Sequence, residues 1–97
     1  MQTILKYELT SRSNTFTFPV DSEILSVGVD GKGRLSMWVA VNNDEYAVRL
    51  DRRIYLYSTE DTIDESISKK FLGTIVDGTK ENTKIWHAYL ITGREDG

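Results

Sequence analysis

A chain of 97 residues with 39% hydrophobic and 10% aromatic side chains can build one domain around a single thin core and is not a disordered tail. A formal charge of −3 and a pI near 5.1 argue against a general binder of the DNA or RNA backbone, although two or three arginines suffice to hold a small anion. The absence of cysteine excludes a disulfide framework and a thiolate metal site. No apolar run reaches the roughly 18–20 residues of a membrane span, and the start MQTILKYEL lacks the order of a secretion signal.

Thr3–Leu9 alternates Leu5, Tyr7 and Leu9 against Ile4, Lys6 and Glu8, the pattern of an edge strand with a charged outer face. Ser11–Asn14 is turn-like. Thr15–Phe18 alternates again with Phe16 and Phe18 inward, and Pro19 ends it because proline cannot donate to a ladder. Ile24–Val41, ILSVGVDGKGRLSMWVAV, is the clearest element: a hairpin about Asp30-Gly31-Lys32-Gly33. Leu25, Val27 and Val29 share one face of its first arm, as do Leu35, Met37, Val39 and Val41 in its second, leaving Trp38 on the side given to water.

Asn42–Glu45 is a turn, since Asn and Asp tolerate left-handed backbone. Tyr46–Tyr57 is expected as two segments, interrupted at Asp51-Arg52-Arg53 by a bulge or a short turn. Ser58–Lys70 is expected as the one short helix, with Thr62 and Glu65 as a capping box, Ile63 and Ile67 one turn apart, and Lys69 and Lys70 at the negative end. Phe71–Val76 returns to strand, Asp77–Thr83 is a polar turn, and Lys84–Ile91 is the last strand. There Ile85, His87, Tyr89 and Ile91 oppose Trp86, Ala88 and Leu90, so the strand is central or lies at a subunit contact. The expected fold is mainly β: a small antiparallel sandwich or partly closed barrel of six to eight strands with one short helix. Residues 1–92 form the single β-rich domain and 93–97 a frayed C-terminal tail.

No catalytic set or cofactor motif emerges. His87 is the single histidine, without a nucleophile elbow or the ligands of a zinc site, and reads as a packed residue or a hydrogen-bonding group for a ligand. Glu60, Asp61, Asp64 and Glu65 lack the spacing of a calcium loop and read as an acidic helix start. The group that points to a function is aromatic and basic: Trp38, Arg49, Arg52, Arg53, Tyr55, Tyr57 and Trp86, with His87 beside them. Such a set stacks bases and clamps phosphates, and it equally suits an oligomer interface or a solvated sheet face.

Ile4-Leu5-Lys6-Tyr7-Glu8-Leu9, Ile24-Leu25-Ser26-Val27, Leu35-Ser36-Met37-Trp38-Val39-Ala40-Val41, and Phe71-Leu72-Gly73-Thr74 with Ile85-Trp86-His87-Ala88-Tyr89, in that order, resemble a family of small uncharacterised bacteriophage accessory proteins. The resemblance implies a compact β domain acting in the host cytoplasm and carries over no catalytic motif. By analogy with phage anti-CBASS sponges, it suggests a homo-oligomeric counter-defence protein that sequesters a cyclic di- or trinucleotide immune signal without cleaving it. The alternatives are a protein-interaction module that inhibits a host enzyme, or a minor phage structural protein.

Overall fold

The computed structural model describes residues 1–42, 44, 46–79 and 81–93, and these described residues form seven strands and no helix. They are β1 (Gln2–Glu8), β2 (Ser13–Pro19), β3 (Glu23–Val29), β4 (Leu35–Asn42), β5 (Arg49–Ser58), β6 (Lys69–Thr79) and β7 (Asn82–Ile91). One sheet has the order β1-β4-β3 and the other β2-β5-β7-β6, with every neighbouring pair antiparallel. Both sheets keep open edges, so the result is a sandwich and not a closed barrel. The last strand is central, between β5 and β6.

Alternation explains the core. Met37, Val39 and Val41 of β4 meet Ile54 and Leu56 of β5, Phe18 of β2, Ile75 of β6 and Ala88 of β7, with Leu9 following β1. Tyr7 packs its ring on Phe16 and Phe18, at centroid distances of 5.1 and 4.9 Å, and joins β1 to β2 across the two sheets. On the other flank β3 and β6 come so close that a Cβ on Gly73 would stand 2.9 Å from Val27 Cγ2. A side chain there would push the two edges apart.

The β3–β4 hairpin forms as expected, with one correction. The register moves from Ile24↔Val39 to Ser26↔Trp38, so Leu25 is an extra residue in a bulge. Ile24 therefore faces the core with Val27 and Val29, and Leu25 is exposed. Trp38 does face outward, and its indole lies over Gly28 of β3, where an added Cβ would be 3.7 Å from the ring.

The expected helix over Ser58–Lys70 is absent. The Asp61 carboxylate accepts the Ser58 amide at 2.8 Å, and Asp64 Oδ1 accepts both the amide and the hydroxyl of Ser66, at 2.9 and 2.7 Å. These local bonds compete with a helical ladder, and Glu60 adopts a positive φ of 83° that no helix allows. Lys69 Nζ clamps the loop by donating to the carbonyls of Asp64 and Ile67, at 2.7 and 2.6 Å. Lys69 and Lys70 belong instead to β6, opposite Ile91 and Leu90. A second correction concerns Tyr46–Tyr57. Arg49–Ser58 is one unbroken strand, paired with β2 through Asp51, Arg52 and Arg53, while Tyr46 lies in the preceding turn. The polar turn expected at Asp77–Thr83 is shorter, because the ladder runs on to Thr79↔Asn82. The turn over Asn42–Glu45 lies partly outside the described residues; Asp44 there accepts the Tyr46 amide at 2.9 Å. Of the tail at 93–97, only Gly93 is described.

Candidate functional site

The outer face of the four-stranded sheet gathers most of the residues that the sequence singles out. Arg49, Asp51, Arg53, Tyr55 and Tyr57 project there from β5, since they alternate with the inward Ile54 and Leu56. The ladder sets Tyr55 opposite Tyr89, Tyr57 opposite His87 and Arg53 opposite Ile91, and β6 adds Phe71 opposite Tyr89.

Four rings thus form a continuous row. Tyr55 and Tyr57 are 6.2 Å apart, Tyr57 and Tyr89 5.5 Å, and Tyr89 and Phe71 5.3 Å, with interplanar angles from 57° to 82°. The rings support one another edge to face, which holds the row in place. Partial burial raises the Tyr57 phenol above its ordinary value, so its hydroxyl stays neutral at physiological pH. Phe71, at the end of the row, is 52% exposed.

Charge on this face is simple. Arg53 and Arg49 are exposed, and neither enters an ion pair or side-chain hydrogen bond among the described residues. Asp51 stands between them and accepts the Thr17 hydroxyl of β2 at 2.7 Å. His87 is held at both ring nitrogens, Nε2 by Thr59 Oγ1 and Nδ1 by Thr74 Oγ1, each at 3.1 Å. A hydroxyl–imidazole pair is therefore present, but a second threonine, and not a carboxylate, orients the ring; this differs from the serine–histidine–acid arrangement. Among the described residues no three of His, Asp and Glu come together as a metal site.

Three of the expected residues lie elsewhere. Trp38 is on the outer face of the other sheet, on the far side of the molecule. Trp86 has the parity of Ala88 and Leu90 and packs on the core side, with the Arg12 guanidinium 5.6 Å from its ring centroid. That same Arg12 pairs with Asp61 at 3.2 Å, so Trp86 anchors a structural cluster. Arg52 has the parity of Ile54 and points inward, toward the end of the sandwich. Tyr89 and Phe71 complete the row and were not singled out from the sequence. The shared parity of Tyr89 and His87 could have signalled the first; Phe71 needed the β6–β7 register.

Residues 1–96 match the model of one family, described as a domain of unknown function (DUF7352). No curated protein and no solved structure matches the chain.

Proposed function

The chain belongs to the DUF7352 family, and we propose that this member is a non-catalytic binding protein that holds a small nucleotide on the outer face of its four-stranded sheet. The observation that carries the reading is the row Tyr55–Tyr57–Tyr89–Phe71 beside an arginine, Arg53, that forms no ion pair among the described residues. Rings offer faces and edges to bases, while an unpaired guanidinium takes a phosphate through two parallel hydrogen bonds. An overall charge of −3 disfavours a long polyanion and leaves a small one, so cyclic di- and trinucleotides are the ligands of choice. A counter-defence role in the host cytoplasm, sequestering such a signal uncut, extends this reading through the phage resemblance.

The test is thermal unfolding against a panel of cyclic di- and trinucleotides, with mass determination of the oligomer and recovery of the ligand after denaturation. A ligand at about 100 times its Kd adds roughly 2.7 kcal/mol to the folded state, a readily measured shift in Tm. The expected result is a shift with one ligand, recovered intact, and its loss in Arg53→Ala and Tyr57→Ala. No shift across the panel would end the nucleotide reading.

A second reading has its own support. The same sheet exposes Phe71 at 52%, Val76 at 61% and Ile85 at 40%, an apolar extension with no role in holding phosphate. Such a surface suits a protein partner, for example a host enzyme to be inhibited. Under this reading the nucleotide panel is silent, and Phe71→Ser abolishes capture of the host protein while leaving Tm nearly unchanged.

A further inference from the structure

Arg52 and Lys70 break the pattern of the sandwich. Arg52 stands two residues before the fully buried Ile54, and Lys70 pairs with the inward Leu90, so both cations lie on the core side of their sheet. Arg52 is half-buried and Lys70 exposed, so the two cations stand at the rim of the sandwich, where water reaches them and a ligand could too. Among the described residues neither cation has an ion pair or a side-chain hydrogen bond. Both line a cavity of about 360 Å³ where the sheets part, floored by Phe18 and Leu90 and walled by Ser22 and Glu23. The turn that closes when the Ser22 amide bonds the Pro19 carbonyl at 3.0 Å places Ser22 in this wall, its hydroxyl oxygen just behind the surface. That hydroxyl is buried and has no hydrogen-bond partner among the described residues. An orphaned buried donor is costly, and native proteins keep few of them.

We propose that this cavity is a second binding site, which takes a small organic anion with an apolar body. The anionic head, a carboxylate or a phosphate monoester, lies between Arg52 and Lys70 and accepts the Ser22 hydroxyl, while the body rests on Phe18 and Leu90. Two cations outweigh the one lining carboxylate, Glu23, so the site favours a single negative head. A volume near the low end of ligand pockets, about 300–1,000 Å³, limits the body to one ring or a short chain. Phe71 of the ring row also reaches the rim of this cavity, so Arg53 and Tyr57, which do not line it, are the residues whose substitution separates this site from the nucleotide face.

The experiment is amide-resolved NMR titration of the full chain with phenyl phosphate and with benzoate, using inorganic phosphate and benzyl alcohol as head-only and body-only probes. At least one of the two amphipathic anions is expected to shift the amides of residues 22–26 and 70–72, and the stronger of the pair identifies the head. Neither control should bind within tenfold of it. Arg52→Gln and Lys70→Gln should each weaken binding about tenfold or more, and Arg53→Ala should leave it unchanged. Ser22→Ala separates this role from a structural one, because it should raise Tm without ligand and still weaken binding. Unshifted amides with all four probes, or equal affinity in the Arg52 and Lys70 variants, would overturn the proposal.

Discussion

Asp30 shows how one side chain fixes a turn. Its carboxylate accepts the Lys32 amide at 2.8 Å, the Arg34 amide at 2.9 Å and the Lys6 ammonium at 2.7 Å, so it both shapes the β3–β4 hairpin and ties it to β1. The Lys6 bond first, then the backbone bonds, hold the Asp30 carboxyl far below its ordinary value of 3.8. A depressed folded value means that the stabilisation is complete above about pH 4 and fades as pH falls through the lowered value. Asp30→Asn removes the charge and keeps the shape. The expected outcome is a lower Tm at neutral pH and a shallower fall in Tm below about pH 4 than in the parent chain; parallel curves would show that Asp30 contributes nothing to acid sensitivity. Asp30, read only as part of a turn signal, was legible in the sequence, but its pairing with Lys6, 24 positions away, was not. Asp61 and Asp64, whose carboxyls are also lowered by hydrogen bonds from Ser58 and Ser66 respectively, make the same point against the expected helix. Local acceptors won over helical periodicity.

At the scale of the element, alternation located nearly every strand, and errors arose where a single residue disturbs it. The bulge at Leu25 is the sharpest case, since one extra residue reverses which side chains face the core. Leu25 is 46% exposed, so Leu25→Ala should cost less than about 1 kcal/mol, as most surface changes do. Ile24→Ala, on the residue that packs on the core, should cost clearly more in urea unfolding. The reverse order would mean that the hairpin pairs without a bulge. β5 departs from its expected division for a related reason: Asp51, Arg52 and Arg53 look like a break, yet β2 pairs with all three and keeps them extended. A partner strand overrides local propensity.

For the whole molecule, stability rests on a thin core shared by two sheets. Ile54 is fully buried at its centre, and Ile54→Ala should cost about 2–5 kcal/mol through lost burial and the cavity left behind. Calorimetry should show each kcal/mol as a fall of roughly 4–8 °C in Tm for a domain of this size. A loss below about 1 kcal/mol would mean that the sheets close up over the gap. The order β2-β5-β7-β6 also decides what the surface can do, because it lays Tyr55, Tyr57, Tyr89 and Phe71 side by side and sends Arg52 and Arg53 to opposite sides of one sheet.

By itself, the sequence determined that this is a β protein with one core, which residues alternate inward along β4, and where the central hairpin turns. These are local properties, written in a period of two residues and in turn chemistry. Only the tertiary structure decided which strands are neighbours, that seven of them form two sheets, and that residues 59–68 form a loop and not a helix. It also divided the expected aromatic and basic group, leaving Trp38 and Trp86 away from the row and turning Arg52 into a cavity. Pairing and bulge position depend on the energy of contacts between residues far apart in the chain, and no short window of sequence contains both partners.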